Sequence, residues 1–186
     1  IEEVLYPAME SGVLDIIIGK GPSARTVQLE LPPFTLVAAT TRISLLSSPL
    51  RSRFSGGTFR LDFYSDAELA TILKRSAELL GVETTEEILL DIANRSRATP
   101  RTANYLLKRC RDLAQLEGST INTDITHRTF DLLEIDNLGL HGADRAVLEA
   151  IIGKFSGGPV GLNTLAAATG EEQSTIEAVL EPYLIR

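Results

Sequence analysis

The sequence predicts an α/β segment followed by an all-α remainder, and three observations carry that expectation. Leu36-Val37-Ala38-Ala39 is apolar without alternation, the pattern of a strand covered on both faces in a parallel sheet. Upstream, two short β patterns flank the turn formers Gly19-Lys20-Gly21-Pro22-Ser23. From Ser65 to the end of the chain, apolar residues recur at helical spacing.

Taken in order, residues 1–9 read as the end of a helix through Val4, Leu5 and Ala8. Leu14 to Ile18 and Arg25 to Leu31 form the arms of a hairpin. In the second arm Val27, Leu29 and Leu31 alternate with Gln28 and Glu30, which gives one apolar face. A hairpin this short is marginal alone, so that face packs on its own domain or on a partner. Pro32-Pro33 leads into the central strand, and Phe59 to Tyr64 reads as a further short strand.

Ser65 and Glu68 have the spacing of a capping box for a helix whose Leu69, Ile72, Leu73, Ala77 and Leu80 share a face, and Gly81 closes it. Thr84 and Glu87 repeat the device for a second helix. Thr99 and Pro100 start a third, with its stripe at Ala103, Leu106, Leu107, Cys110, Leu113 and Ala114, and Thr123-Asp124 starts a fourth. Residues 135–142 resemble a linker. An amphipathic helix from Asp144 to Phe155 follows, then a Gly-rich turn at 157–161. Two helices, 163–168 and 171–183, are parted by Thr169-Gly170, which suits a helix-turn-helix arrangement.

Composition narrows the function classes. At 186 residues the chain has room for one large domain or two to three small ones. No apolar run approaches the ~18 residues that span a bilayer, and Ile1-Glu2-Glu3 does not read as a signal peptide. The single cysteine, Cys110, excludes a disulfide framework or a cysteine-rich zinc site and lies on a helix stripe as a small core residue. These features together point to the cytoplasm. A net charge of −7 argues against electrostatic DNA binding by the whole chain. Arg95, Arg97, Arg101, Lys108, Arg109 and Arg111 concentrate positive charge locally, and a solvated helix face is the default account of such a cluster.

The chemistry concentrates in Ala39-Thr40-Thr41-Arg42 and Ser48-Pro49-Leu50-Arg51-Ser52-Arg53-Phe54. Active groups of open α/β sheets gather at the carboxyl ends of strands, where Thr40 and Thr41 would orient a water or a phosphate oxygen. An arginine on a rigid turn nearby is how phosphoryl-transfer enzymes present a cation to a neighbour's γ-phosphate. The same residues also fit a strand end followed by a loop with solvated arginines. Arg101 breaks a local rule, standing in a helical first turn where the macrodipole disfavours a cation. An anion bound there would account for it, and so would a side chain that snorkels into water. No G-x-x-x-x-G-K-[ST] is present: Gly19-Lys20-Gly21 runs into Pro22, and Gly153-Lys154-Phe155 lies inside a helical pattern. A nucleotide-binding half, if there is one, is expected before residue 1.

Longer runs carry a resemblance. Tyr6-Pro7-Ala8-Met9-Glu10, Leu14-Asp15-Ile16, Gly21-Pro22-Ser23-Ala24-Arg25, Leu31-Pro32-Pro33-Phe34-Thr35-Leu36, Ala39-Thr40-Thr41-Arg42, Thr99-Pro100-Arg101, Gly157-Gly158-Pro159-Val160-Gly161-Leu162 and Glu181-Pro182-Tyr183-Leu184-Ile185 occur in order along the whole chain. Their sequence is similar to the RuvB family, bacterial AAA+ motors that drive branch migration of Holliday junctions. The resemblance implies an α/β AAA+ core fragment over residues 1–64, an all-α lid over 65–137 and an incomplete winged-helix domain of helix-turn-helix type over 138–186. The chain would follow the two Walker motifs and stop before the basic wing, so no DNA-binding residue is assigned, and none for metal.

Residue by residue, the resemblance implies that Arg53 is the arginine finger reaching a neighbour's ATP and that Thr40 and Thr41 are the sensor-1 end. Tyr64 would line the nucleotide pocket at the hinge, and Arg101 would be the sensor-2 arginine. Glu10, Ser11 and Gly12 would lie near the subunit boundary beside the nucleotide. Val27 and Leu29 would be the hairpin's contacts with a RuvA-like partner. Ser11 and Gly12 depart from the family pattern, as do Ser44, Ser52, Ser55, Gly56-Gly57-Thr58 and Ala98.

The implied activity is ATP hydrolysis with Mg²⁺, coupled to a DNA helicase function on Holliday junction DNA in recombination, repair and the SOS response. The implied assembly is a homo-oligomeric ring, a hexamer, in the cytoplasm. The 186 residues by themselves are expected to hydrolyse no ATP. A non-catalytic fragment that docks RuvA-like protein through the hairpin is the alternative. A helix-turn-helix DNA binder is disfavoured by Glu171, Glu172, Glu177 and Glu181 in the recognition-type helix. An Arg53 buried against its own fold, turned away from any facing copy, would sink the motor reading.

Overall fold

The computed structural model describes residues 2–19, 21 and 24–185. Lys20, Pro22 and Ser23 of the expected turn therefore lie outside the described residues, as do Ile1 and Arg186. The chain forms two compact units, Ile1–Leu61 and Asp62–Arg186.

In the first unit, helix α1 (Glu2–Ser11) ends at Gly12, whose φ of +66° lies in the left-handed region that glycine tolerates. The Leu31 amide donates to the Gly12 carbonyl at 2.7 Å and closes the base of a hairpin. Its strands β1 (Val13–Ile18) and β2 (Arg25–Glu30) pair antiparallel from Val13↔Glu30 to Ile18↔Arg25. That register places Leu14, Ile16, Ile18, Val27 and Leu29 on one face. A 3₁₀ turn (Ile43–Leu45) and the short helix α2 (Ser48–Ser52) follow, the latter capped by the Ser47 hydroxyl with Pro49 in its first turn.

Two expected strands are absent. Residues 36–39 and 59–64 form no ladder, and Val37, Phe59 and Leu61 are exposed. A strand exists only when a lateral neighbour takes up its amides and carbonyls, and the hairpin is the sole sheet among the described residues. The expectation of a strand covered on both faces is therefore not met: among the described residues no strand lies alongside 36–39 or 59–64. Ala8 and Leu50 are this unit's only fully buried apolar residues among those described.

The second unit is helical. Helix α3 (Asp66–Leu80) starts at the expected capping box: the Ser65 hydroxyl accepts from the Glu68 amide, and the Glu68 carboxylate accepts from the Ser65 amide at 2.8 Å. These bonds hold the Glu68 carboxyl below its usual range. Gly81 closes the helix at φ +64°. Helices α4 (Glu86–Asn94), α5 (Pro100–Leu116) and α6 (Thr123–Leu132) complete the subdomain.

Two caps fall one residue from expectation. Thr85, not Thr84, accepts from the Ile88 amide, and Asn122, not Thr123, accepts from Ile125 at 3.0 Å. Both neighbours are competent capping residues, so the packing of the first turn decides between them. Thr99 stands at the N-cap of α5 as expected, but its hydroxyl bonds Ser96 and Thr102 instead of the helix amides.

The core of this subdomain gathers Leu69, Leu73, Ile92, Leu106, Leu107, Ile125 and Phe130 from all four helices. Cys110 is fully buried within it, and burial pushes its thiol from an ordinary value near 9.0 up to about 11. A thiol-specific reagent at pH 8 is therefore expected to leave the native chain unmodified and to react only on unfolding. The raised pKa also means that the stability it reflects is intact below pH 9 and lost as pH rises towards 11, which urea titrations at pH 8 and 10.5 would read.

The third segment packs α7 (Gly142–Glu149), its π-helical continuation Ala150–Lys154, α8 (Leu162–Thr169), and α9 (Gln173–Thr175) with a π stretch (Ile176–Leu180) and α10 (Glu181–Leu184). Val147, Ala150, Leu165, Ala166, Ile176 and Leu180 form its core. Gly170 at φ +77° makes the tight turn before the last helical run. Residues 135–142 are not a free linker. The Asp136 carboxylate accepts from the Leu138 and Leu140 amides at 2.9 Å, and Arg145 donates to the Leu140 carbonyl at 2.8 Å. Gly139 is required there: a Cβ would come within 3.0 Å of the Arg95 backbone. No helix among the described residues is long and apolar enough to cross a membrane.

Candidate functional site

Arg53 ends the short helix α2, and three groups of its own unit hold its guanidinium. Nη1 donates to the Pro49 carbonyl at 2.8 Å, Nη2 pairs with the Glu10 carboxylate, and the plane lies 4.7 Å from the Tyr6 ring centroid. The Tyr6 hydroxyl shares a hydrogen bond of 2.9 Å with Ser47, the residue that caps the arginine's own helix. Glu10 and Tyr6 lie one helical turn apart on α1, so both reach the same guanidinium. Arg53 keeps 27% of its side chain exposed and Glu10 56%, so the pair sits at the surface of the unit and not in its core.

The other expected residues of this unit are more loosely placed. Thr40 and Thr41 are exposed, with the Thr40 hydroxyl accepting from the Arg42 amide at 3.0 Å. Among the described residues, no hydrogen bond or ion pair joins either threonine to Arg53. Ser11 is exposed and Gly12 occupies the turn into β1. On the hairpin, Ile16, Val27 and Leu29 are each more than two-fifths exposed, so the expected apolar face is open.

Tyr64 and Arg101 belong to the second unit, where one short backbone path connects them. The Tyr64 amide donates to the Ala98 carbonyl at 3.4 Å, and Ala98 precedes Thr99, the N-cap of the helix that carries Arg101 in its first turn. That turn contains no carboxylate, and among the described residues Arg101 has neither an ion pair nor a hydrogen bond. An exposed guanidinium thus stands in the first turn of a helix, whose leading amides lack intrahelical partners, an arrangement that favours an anion. Tyr64 is 42% exposed. An exposed guanidinium in a helical first turn is chemistry that suits an anionic group; no three His, Cys, Asp or Glu side chains converge to hold Mg²⁺ among the described residues.

The basic cluster expected as a solvated face is divided. Arg109 and Arg111 pair with Asp112 at the surface, and the Arg111 hydrogen bond holds the Asp112 carboxyl below its usual range. Arg95 and Arg97 do not face water freely. Arg95 stacks 4.4 Å from the Phe130 centroid and pairs with Asp91, and Arg97 pairs with the fully buried Asp144 at 2.8 Å. Sequence reasoning missed Asp144. Its only local signal was its position three residues after His141, whose amide it accepts at 2.9 Å.

Three family models match in order: "Holliday junction DNA helicase RuvB P-loop domain" over residues 1–61, "RuvB AAA lid domain" over 64–136 and "RuvB C-terminal winged helix domain" over 137–186. The RuvB subunit of the Holliday junction branch migration complex from Dehalococcoides mccartyi (strain CBDB1) is 56% identical over 187 residues, covering all of this chain and 53% of that protein. The solved structure of the Thermotoga maritima RuvB Holliday junction branch migration motor is 48% identical, with a TM-score of 0.76 over 99% of this chain and 57% of that one. A proline-to-glycine variant of the same protein aligns with a TM-score of 0.77 at the same identity and coverage. The chain spans about half the length of these relatives.

Proposed function

The chain belongs to the RuvB family, and from that premise we propose that it is part of an ATP-dependent DNA motor driving Holliday junction branch migration in recombination and DNA repair. The observation that carries the reading is Arg101, a cation unpaired among the described residues at the positive end of a 17-residue helix, whose entry at Ala98 takes a backbone hydrogen bond from Tyr64. Such a cation costs a few tenths of a kcal/mol unless an anion shares the site. Arg101 acts as sensor 2 on phosphate in its own subunit, Tyr64 lines the pocket, and Thr40 and Thr41 orient groups at the γ-phosphate. Bound ATP with Mg²⁺ supplies the phosphoryl group.

Arg53 serves the adjacent subunit as the finger, near the boundary formed by Glu10, Ser11 and Gly12. In this structure it is turned onto Glu10 and Tyr6, so it must leave them to act. An ion pair this exposed is worth about 0–1 kcal/mol, a small barrier beside the attraction of a triphosphate. The assembly is a cytoplasmic hexameric ring acting on Holliday junction DNA with a RuvA-like partner, within the SOS response.

The test joins this chain to the ATP-binding segment of the Dehalococcoides mccartyi relative. Arg101→Ala in that chimera is expected to weaken nucleotide binding and turnover about 10- to 100-fold, the loss of charged hydrogen bonds to phosphate. Unchanged nucleotide affinity removes the sensor assignment.

A second reading, docking through the hairpin, has its own support in the open face of Ile16, Val27 and Leu29. The paired substitutions Val27→Asp and Leu29→Asp are expected to abolish capture of the chain by immobilised RuvA while leaving its melting temperature unchanged. Capture at the original level by the double variant contradicts it.

A further inference from the structure

We propose that Arg97 is a positioning residue for Arg101, tying the third segment to the entry of the sensor helix α5 so that neither reorients alone. The proposal rests on the reading of Arg101 as a phosphate-facing group. Three elements of the third segment meet at the one guanidinium. Nη1 donates to Asp144 Oδ2 at 2.8 Å, at the start of α7. Nη2 donates to the Val179 carbonyl at 3.0 Å, in the π stretch. The Tyr183 ring of α10 stacks 4.2 Å away, and its hydroxyl donates to the Leu138 carbonyl at 2.8 Å.

Asp144 depends on this contact. It has no exposed surface, its Oδ2 also accepts from the His141 amide, and its Oδ1 has no hydrogen-bond partner among the described residues. Arg97 is thus the cation that keeps a buried carboxylate from standing uncompensated. Its planar fork reaches carboxylate and carbonyl through two nitrogens held apart in one plane, a geometry that the single nitrogen of an ammonium lacks.

On its backbone side the same residue shapes the sensor. Arg97 at φ +54° and Ala98 at φ +53° form a left-handed pair without glycine, a conformation that persists only where the surroundings over-determine it. Through that pair the chain turns so that the Ala98 carbonyl meets the Tyr64 amide and Thr99-Pro100 launches α5. A shift of the third segment pulls on the Arg97 side chain, and the side chain's anchor is the turn that aims Tyr64 and Arg101.

The test uses the 186-residue chain without nucleotide, so its outcome is independent of the Arg101 assignment, which the chimera tests separately. Spin labels on Lys74→Cys and Glu177→Cys, both exposed, straddle the clamp, while buried Cys110 escapes labelling. Arg97→Ala is expected to broaden the interlabel distance distribution. It is also expected to speed amide exchange of Tyr64 about a hundredfold, the equivalent of stranding a buried carboxylate, while Leu73, Ile92 and Leu106 keep their protection. Asp144→Asn, which keeps the shape of the side chain, is expected to do the same in lesser degree and decides the matter if Arg97→Ala does not fold. An unchanged distance distribution with unchanged Tyr64 exchange overturns the proposal. So does uniform loosening of all core amides, the mark of a merely stabilising ion pair.

Discussion

Arg53→Ala, in the chimera with the ATP-binding segment of the Dehalococcoides mccartyi relative, is expected to lower ATP turnover by about 10³-fold or more. Nucleotide affinity should change little, because a trans arginine stabilises charge that develops on the phosphoryl oxygens during transfer more than it holds the ground state. Arg53→Lys is not expected to rescue, since an ammonium lacks the two-pronged fork. Mixing the Arg53→Ala chimera with one defective in its own ATP-binding segment should restore partial turnover if the arginine acts across a boundary. A loss below tenfold, or no recovery on mixing, sinks the finger assignment. The 186-residue chain alone supplies the baseline, where no turnover is expected: its residues match a P-loop domain model yet contain no P-loop sequence.

Phe130→Ala is expected to destabilise the second unit by about 3–5 kcal/mol, the cost of removing a buried aromatic ring from a core that collapses only partly around the void. Phe130 is 1% exposed and belongs to the core to which all four helices of the subdomain contribute. Its ring is also the platform under Arg95, whose Nη1 donates to the Asp136 carbonyl and whose Nε pairs with Asp91. The substitution should therefore loosen the 135–142 connection together with the core. Urea unfolding followed by circular dichroism reads the first effect, and amide exchange at Leu138 and Leu140 reads the second. A loss under 1 kcal/mol contradicts the placement of Phe130 as the keystone of that core.

Where the structure departs from the sequence reading, the departures share a cause. Leu36-Val37-Ala38-Ala39 has the composition of a buried strand, but pairing is a property of two segments, and among the described residues none forms a ladder with it. Arg97 read as a member of a solvated basic face because nothing within ten residues announces Asp144, 47 positions on, or Val179, 82 positions on. Glu10 and Arg53 are likewise 43 residues apart, and their meeting depends on how α1 and the α2 turn fold together. Capping chemistry, by contrast, is written within four residues, so Ser65-Glu68 and Gly81 were legible and the errors at Thr84 and Thr123 amounted to one position.

The sequence by itself determined the helices of the second unit, their stripes, their stops and the burial of Cys110, because periodicity and caps are short-range consequences of the peptide backbone. It also placed Arg101 in a helical first turn, which local hydrogen bonding alone dictates. Only the tertiary structure decided which charges are paired, which apolar runs stay open and what holds the left-handed turn before α5. Those outcomes depend on desolvation and contact between segments far apart along the chain, where no local pattern carries the information.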